Sequence, residues 1–234
     1  MNELWRQLSA RANVILSSEQ AQSLQGYLDL LLQANEQINL TRISGPDAAQ
    51  VQHVGDALTL LEYLPAGPIK LVDVGSGGGV PGIPLAIARP DMSVTLIEST
   101  KKKAAFLTNT AKTLNLKNVI VIDQRAEKVA RTARRESFDV AAARAVGTMD
   151  WLAEWCLPLV KRTGKMLAMK GAKIREELPL SAKAIKILGG GEPIVHPVQL
   201  PGTEHHVIVE IPKVFKTDPK FPRNPTMTRG KAIR

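Results

Sequence analysis

Four glycines follow a short apolar segment and precede a second one. Gly75, Gly77 and Gly79 alternate behind Asp73, and Gly78 lies among them. Glycine adopts backbone angles that other residues resist and lets a ligand approach the main chain closely. A loop that leads into a helix also presents free backbone N–H donors. The segment therefore predicts a nucleotide-binding turn.

The spacing of these glycines separates the possible ligands. A dinucleotide fingerprint requires glycine at the first, third and sixth positions, and the sixth position counted from Gly75 is Val80. A P-loop requires Gly-Lys-Ser/Thr after the glycines, and that sequence does not follow. The pattern acid-x-Gly-x-Gly-x-Gly, with Asp73 first, resembles the first motif of S-adenosylmethionine-dependent methyltransferases.

An acidic residue ends the next predicted strand. Glu98 closes residues 93–98, and in an open α/β sheet an acid at that position reaches the ribose hydroxyls of a bound nucleotide. A carboxylate also suits a cofactor that carries a sulfonium cation and no phosphate. The alternative is a solvated acid beside Lys101–Lys103, but the order of strand, loop, helix and acid favours the cofactor. Arg144 follows the fourth predicted strand, where the methyl-donor end would meet its acceptor.

The elements that must position these residues alternate between strand and helix patterns, which predicts a parallel sheet with helices on both faces. Two further strands, 194–198 and 207–211, have only a short link and predict an antiparallel hairpin at the sheet's end. The fold class is therefore α/β: a Rossmann-like class I methyltransferase with a mostly parallel sheet, an antiparallel terminal strand and an N-terminal helical extension. The predicted strands before the hairpin are 69–74, 93–98, 119–123, 138–143 and 165–170, and the helices are 81–89, 101–114, 127–135 and 151–160.

The first quarter of the chain has helical periodicity and no strand signal. Ser17 and Gln20 have the spacing of a capping box, and a second helix is predicted over 47–64. We divide the chain into a helical extension packed on the core, a methyltransferase domain and a basic tail, over residues 1–64, 65–212 and 213–234.

The tail carries most of the net charge. The chain has a formal charge of +9, and residues 213–234 contain seven basic residues and one acid. Phe215 and Phe221 are interleaved with the cations. The tail is either a solvated, disordered terminus or a flexible arm that contacts phosphates and stacks on bases. In the second case Lys216, Lys220 and Arg223 are the candidate RNA-binding residues.

Composition excludes several kinds of site. The single cysteine, Cys156, permits no internal disulfide and no zinc site built on cysteine pairs, and its apolar surroundings predict a structural thiol. The four histidines are scattered, and no apolar run is long enough to span a membrane. The first residues lack the layout of a secretory signal. We therefore expect a soluble, cytoplasmic monomer that uses no metal and no membrane.

Five segments together resemble one family, the bacterial small-subunit ribosomal RNA methyltransferase G family, over nearly the whole chain. The last stretch departs from the family pattern, because residues 224–231 replace an expected run of Gly, Pro and paired basic residues. The segments are 39–41 with Ile43, His53-x-x-Asp56, 73–85, Arg144-Ala145 and 220–223.

The resemblance implies a reaction and a set of site residues. Family members methylate guanine N7 of 16S ribosomal RNA at position 527, in the 530 loop of the small subunit. Because N7 carries no proton, no general base is required, and catalysis is expected to rest on positioning. The implied candidates for positioning the target base are Asn39, His53, Asp56 and Arg144, and the implied cofactor contacts are Gly75, Val80, Glu98, Ala126, Glu127 and Arg144, with Asp73, Gly77 and Gly79 added from the loop motif.

Several alternatives stay open at this point. His53 and Asp56 lie three residues apart on a helix and could be an ordinary surface or packing pair. His205 and His206 have no predicted role. A methyltransferase for another RNA stays an alternative. A methyltransferase for a small molecule or a protein would share the loop but would not explain the basic tail. An NAD-dependent oxidoreductase is disfavoured by Val80, and a non-enzymatic RNA-binding module would not need Glu98.

Overall fold

The computed structural model describes residues 2–43, 45–144, 147–203, 205–224, 228 and 231–233. The strands are β1 (Lys70–Val74), β2 (Ser93–Ile97), β3 (Val119–Ile122), β4 (Phe138–Arg144), β5 (Val160–Lys170), β6 (Ile194–Pro197) and β7 (Val207–Pro212). The α-helices are α1 (Glu3–Arg11), α2 (Ser18–Ile38), α3 (Pro46–Ala49), α4 (Asp56–Leu58), α5 (Gly82–Ala88), α6 (Lys101–Thr113), α7 (Ala126–Val129), α8 (Met149–Cys156) and α9 (Ile174–Ile187).

The seven strands form one sheet in the order β3-β2-β1-β4-β5-β7-β6. Strands β1 to β5 are parallel, and β7 runs antiparallel between β5 and β6. The predicted parallel sheet and terminal hairpin are therefore confirmed. The strand order reverses between β1 and β4, and ligands of open α/β sheets bind beyond the carboxyl ends of strands at such a point.

The first helices pack directly on this sheet domain. Ser17 caps α2 by accepting a hydrogen bond from the backbone of Gln20, whose side chain accepts one from the Ser17 N–H. The Gln20 amide also donates to the carbonyls of Ile87 and Ala88 at the end of α5. The predicted capping box is therefore present, and it also joins α2 to the core.

The predicted helix over 47–64 is continuous but irregular. It begins as α3, becomes a π-helix over Gln50–Gly55, returns to α in α4 and ends as a 3₁₀-helix over Thr59–Tyr63. A π segment inserts an extra residue into a turn, and such segments are frequent at functional sites. This one includes His53 and lies directly before Asp56, so it determines where both side chains point.

Two boundaries differ clearly from the predictions, and one further helix was not predicted. Helix α7 ends at Val129 rather than Arg135, because the chain turns there. Strand β5 begins at Val160 rather than at Lys165. Gly164, which the prediction left outside the strand, lies within it, because its lack of a side chain lets it pack against β4: a Cβ there would lie 2.5 Å from the Asp139 carbonyl oxygen. Helix α9 was not predicted. It contains Pro179, which interrupts the sequence signal, although the helix buries Ser181, Ala184 and Ile185.

The apolar core lies on both faces of the sheet. One cluster joins the N-terminal helices to α5 and α6, and it includes the fully buried Leu24, Tyr27 and Leu31. The other joins α7, α8 and α9, and it includes Cys156. Burial raises the pKa of the Cys156 thiol, which keeps it protonated and supports a structural role.

Candidate active site

A turn held by the backbone occupies the carboxyl end of β1. The N–H groups of Gly75 and Ser76 both donate to the Ile97 carbonyl, at 2.8 and 3.0 Å. Gly75, Gly77 and Gly79 have φ angles of 72°, 55° and 98°, a region that favours glycine. The alternating glycines are therefore required by the shape of the turn, and the turn faces the cavity above the sheet.

Asp73 lies under this turn rather than in the cavity. Its side chain is fully buried, and its Oδ2 accepts a hydrogen bond from the Gly82 N–H at 3.0 Å. Gly82 must be small, because a Cβ would lie 2.3 Å from Leu96 Cδ2. Burial raises the Asp73 pKa to about 7. Asp73 was predicted to contact the cofactor, but it is absent from the cavity lining and instead holds the loop to the start of α5.

Gly79, a second predicted cofactor contact, also lies outside the cavity lining. A Cβ there would lie 2.7 Å from Ile83 Cγ1 and 3.1 Å from Leu107 Cδ2. Its α-carbon therefore faces packed helices rather than a ligand. The predicted contacts Gly75, Gly77 and Val80 do line the cavity.

Glu98 is held in one orientation at the end of β2. Its Oε2 accepts from the Gly77 N–H at 2.9 Å, and its Oε1 accepts from the Thr100 N–H at 2.7 Å. Each carboxylate oxygen has a further lone pair, so the side chain can still accept two ribose hydroxyls. Ala126 and Glu127, after β3, line the same part of the cavity. A pinned carboxylate beside a glycine turn suits S-adenosylmethionine, which has a ribose and a cation but no phosphate.

Arg144 organises the opposite side of the cavity. From the end of β4, its Nη1 donates to the Gln52 carbonyl at 2.6 Å and lies 3.3 Å from Asp56 Oδ2. Its Nη2 lies 3.0 Å from His53 Nδ1. The guanidinium thus joins β4 to the π-helix, and it brings together three of the four residues predicted to position the target base.

His53 is a neutral, fully engaged imidazole. Burial, together with the charge of Arg144, lowers its pKa to about 4. Its second nitrogen, Nε2, lies 3.1 Å from Thr41 Oγ1. With both ring nitrogens in contact with protein, His53 serves to connect Arg144 to the segment after α2. The fourth predicted residue, Asn39, is exposed, lines the cavity and ends α2 with a φ of 48°.

Sequence reasoning missed two residues that the structure brings to this site. His206, to which no role was assigned, lines the cavity, and its Nδ1 lies 3.4 Å from Asp56 Oδ1. Tyr27 was predicted only as part of an apolar stripe, but its hydroxyl donates to the Gly78 carbonyl at 2.9 Å. A buried tyrosine usually finds a partner for its hydroxyl, which was the available signal. For His206, no local pattern indicated the contact.

Neither a solvated terminus nor a free arm describes residues 213–224. Lys213 is buried, and its Nζ donates to the carbonyls of Leu157 and Leu188 at 2.8 and 2.9 Å and to Thr217 Oγ1. Arg135 donates to the carbonyls of Thr217 and Phe221, both at 2.8 Å. The chain after β7 is therefore strapped to the domain.

The candidate RNA-binding residues of the tail differ from one another. Arg223 donates to both carboxylate oxygens of the buried Glu154, with its Nη2 2.5 Å from Oε2. Its guanidinium is therefore paired with Glu154 in the folded chain, and contact of Arg223 with RNA stays a prediction. Lys216 and Lys220 are exposed. Lys220 forms an ion pair with the exposed Asp218, and its Nζ lies 5.4 Å from the centroid of the Phe221 ring. Contact with RNA stays a prediction for these two lysines.

One cavity of about 1150 Å³ lies between two groups of residues. The glycine turn and Glu98 form one side, and Arg144 with its partners forms the other. It extends from Glu98 and Ala126 to Thr41, His53 and Arg144. Within the described part of the chain, no group of three His, Cys, Asp or Glu side chains is placed to hold a metal ion. Nor does any helix of the described residues have the length and apolar character needed to cross a membrane.

Comparison with known proteins gives consistent matches at the level of sequence and of fold. A family model described as rRNA small subunit methyltransferase G matches residues 20–207. A protein of Lactobacillus delbrueckii subsp. bulgaricus, named ribosomal RNA small subunit methyltransferase G, is 39% identical over 226 residues, which cover 94% of this chain and 95% of that protein. One of the same name from Chloroflexus aggregans is 40% identical over 209 residues, covering 89% and 88%.

Among solved structures, a SAM-dependent methyltransferase from Aquifex aeolicus superposes with a TM-score of 0.55 at 15% identity, covering 71% of this chain and 93% of that one. TYW2 of M. jannaschii, in complex with AdoMet, superposes with a TM-score of 0.51 at 20% identity, covering 73% and 77%. At these identities the likeness is one of fold. It confirms the predicted class I methyltransferase architecture.

Proposed function

We propose that this chain, which belongs to the ribosomal RNA small subunit methyltransferase G family and uses S-adenosylmethionine as its methyl donor, methylates N7 of a guanine in 16S ribosomal RNA. The target is position 527, in the 530 loop of the small subunit. We further propose that the enzyme acts as a monomer in the cytoplasm. Another RNA, a small molecule or a protein is the alternative acceptor.

The observation that carries this proposal is the single cavity shared by the cofactor side and the acceptor side. Its volume of about 1150 Å³ exceeds the roughly 300–1,000 Å³ of common small-molecule pockets. The space is therefore sufficient for a cofactor beside Glu98 and for a base beside Arg144 at the same time. A cavity of this kind supports direct transfer between two bound molecules, without a covalent protein intermediate.

The chemistry of the acceptor side favours a nucleophile that carries no proton. S-adenosylmethionine supplies an electrophilic methyl group on a sulfonium sulfur. His53 is the natural candidate for a general base, but both of its nitrogens are engaged and its pKa is lowered to about 4. Guanine N7 has an available lone pair and no proton to lose. Holding it in line with the methyl group is therefore sufficient, and positioning of that kind can lower a barrier by about 7–11 kcal/mol.

Charge around the cavity supports a nucleic acid as the acceptor. Arg42, Lys103 and Arg125 line the cavity, and Arg42 and Arg125 are exposed. Basic side chains at a site mouth bind phosphates and draw in a polyanion. An acceptor without several negative charges would leave these cations without a ligand, whereas a nucleic acid supplies several phosphates.

The decisive experiment follows a radiolabelled methyl group from S-adenosylmethionine into naked 16S RNA, small ribosomal subunits and total protein. We expect label in RNA, 7-methylguanosine after nuclease digestion, and a single modified position at guanine 527. Label confined to protein or to small molecules would rule out the proposed acceptor. Label at N7 of another guanine would support the proposed reaction but rule out position 527 as the target.

A matched variant tests whether the glycine turn binds the cofactor. Gly77 has a φ of 55°, and its N–H bonds Glu98, so Gly77→Asp strains the turn and places a second carboxylate beside the first. We expect cofactor binding to be lost in calorimetry. Gly67→Asp serves as the control, because Gly67 also has a positive φ of 74°, and a Cβ at that position would have no atom within 4 Å. Equal affinity in both variants would show that the turn is misassigned.

A further inference from the structure

Thr41 ends a chain of hydrogen bonds whose direction is set at its other end. Arg144 can only donate hydrogen bonds, since guanidinium has no acceptor and stays protonated. Its Nη2 lies 3.0 Å from His53 Nδ1, so Nδ1 must be the acceptor. A neutral imidazole with an acceptor at Nδ1 carries its hydrogen on Nε2. His53 therefore donates from Nε2 to Thr41 Oγ1, at 3.1 Å.

The Thr41 oxygen receives a second hydrogen bond. The Ile43 N–H donates to the same Oγ1 at 3.0 Å. A hydroxyl has two acceptor lone pairs and one hydrogen to donate, so both lone pairs are occupied. Among the described residues, no acceptor for the Thr41 hydroxyl hydrogen lies within hydrogen-bonding distance, and Thr41 lines the cavity. The hydroxyl is thus a donor with a fixed direction and an unused hydrogen.

We propose that the Thr41 hydroxyl donates a hydrogen bond to O6 of the target guanine and so makes the site specific for guanine over adenine. This inference rests on the proposed methylation of guanine N7. Guanine presents N7 and O6 as neighbouring acceptors on one edge, whereas adenine presents N7 beside the N6 amino donor. A purine whose N7 points at the methyl group therefore places its O6 or N6 on the same side of the cavity as N7. At that position the hydroxyl of Thr41 can donate to guanine O6, whereas it would face the N6 amino donor of adenine.

The test uses small subunits reconstituted with guanosine or 6-thioguanosine at the target position. The change replaces O6 by sulfur, a weak acceptor, and leaves N7 in place. The wild type, Thr41→Val and Thr41→Ser are compared at saturating cofactor, with the N7-methylated nucleoside measured by mass spectrometry. Serine keeps the hydroxyl, whereas valine keeps the shape without it. Calorimetry with S-adenosylmethionine and thermal unfolding are measured for each protein.

We expect the wild type to methylate the 6-thioguanosine subunits about 5- to 10-fold more slowly, and Thr41→Val to lose a similar factor on guanosine. The two losses should not multiply, because each removes one side of the same hydrogen bond. Thr41→Ser should retain the discrimination of the wild type. These three results together support the contact, and a purely structural role would not abolish discrimination between the two bases.

Two outcomes would overturn the inference while leaving the proposed function intact: a wild type that does not distinguish the two bases, or losses that multiply in Thr41→Val. If Thr41→Val does not unfold cooperatively, Thr41→Ala repeats the same comparison with a smaller side chain. Failure of the proposed function has a different signature, since the wild type would then methylate neither substrate.

Discussion

The two walls of the active-site cavity are built in different ways. The wall that we propose for the cofactor, here called the cofactor wall, consists of the turn of residues 75–78, Glu98 and residues 126–127. It is held mainly by hydrogen bonds of backbone N–H groups to the end of β2 and to Glu98. The acceptor wall consists of Thr41, His53, Asp56, Arg144 and His206, whose side chains contact one another from four separate parts of the chain.

This difference has a physical origin. A cofactor common to many methyltransferases requires a particular main-chain shape, which glycines supply within a few residues. An acceptor base must be positioned by side-chain donors and acceptors, and these can come from any element that reaches the cavity. The cofactor wall is therefore recognisable as a local motif, whereas the acceptor wall is a network. Each wall should respond to substitution in its own way.

The largest effect is expected from Arg144→Ala. The substitution removes the donor to Gln52, Asp56 and His53 at once, and misplacement of a reacting group by about 1 Å can cost about 100-fold in rate. We expect turnover on RNA to fall by about 100-fold while the cofactor Kd changes by less than about threefold, since the cofactor wall is untouched. Single-turnover kinetics and calorimetry measure the two quantities.

Arg162→Ala is the control, since Arg162 is exposed near the start of β5, away from the carboxyl ends of the strands. Arg144 was predicted both to contact the cofactor and to position the base. A loss of cofactor affinity as large as the loss of turnover would assign Arg144 to both walls and break the distinction between them.

Glu98→Gln tests the cofactor wall in the same manner. The glutamine amide would face one of the two backbone donors, Gly77 N–H or Thr100 N–H, that now bond the carboxylate. Hydrogen bonds to a charged group are worth about 1.5–3 kcal/mol. We therefore expect the cofactor Kd to rise by about 30-fold, with little change in turnover once the cofactor is saturating. Glu192→Gln, at an exposed position, should change neither quantity.

Two buried groups, Asp73 below the glycine turn and His53 in the acceptor wall, should contribute to stability with opposite dependence on pH. The folded chain raises the Asp73 pKa from 3.8 to about 7, so it binds this proton more tightly than the unfolded chain, and stability falls as pH rises through that window. The folded chain lowers the His53 pKa from 6.5 to about 4, so stability rises with pH between those values. Each group should contribute about 2 kcal/mol between pH 5 and 6.5.

Urea unfolding of Asp73→Asn and His53→Gln at pH 5 and 6.5 separates the two contributions. Relative to the wild type, Asp73→Asn should gain stability with rising pH and His53→Gln should lose it. Parallel pH profiles for all three proteins would show that neither group titrates in the proposed sense.

The smallest effects are expected outside both walls, at two exposed lysines of residues 213–224. Lys216→Ala and Lys220→Ala remove exposed cations and should leave stability within about 0.5 kcal/mol of the wild type. If these lysines contact phosphates, each substitution should weaken RNA binding modestly and reduce the salt slope by about 1. Binding titrations over a range of salt concentrations measure this. An unchanged salt slope would exclude Lys216 and Lys220 from the RNA interface.

Point substitutions are preferable to truncation after Pro212, because truncation would remove the buried Lys213 and its contacts with Leu157 and Leu188. Arg223→Ala provides the contrast. It would remove the guanidinium from the buried Glu154, which would keep, among the described residues, only the hydrogen bond from the backbone N–H of residue 223. Breaking a buried ion pair costs about 3–5 kcal/mol. If only Arg223→Ala loses stability, Arg223 holds residues 213–224 to the domain, whereas Lys216 and Lys220 do not.

Much of the fold could be predicted because its signals are local. The strand before the glycines, the capping box at Ser17 and the terminal hairpin each follow from a few neighbouring residues. Helix α9 was not predicted because Pro179 interrupts the helical pattern of its sequence, although packing of its buried side chains stabilises the helix. Composition indicated neither of the contacts that hold residues 213–224, because Lys213 and Arg135 bind carbonyl groups of residues distant in the chain.

By itself, the sequence determined the glycine turn and the strand-end acid Glu98: the order of strand, turn, helix and acid specifies a main-chain shape that depends on residues close together in the chain. It also brought His53 and Asp56 together on one helix as candidates for the acceptor. Only the tertiary structure decided that Asp73 lies below the turn, that His206 joins Asp56, and that Arg144 orients His53 toward Thr41. These are contacts between side chains distant in the chain, and their geometry exists only once the sheet and helices have packed.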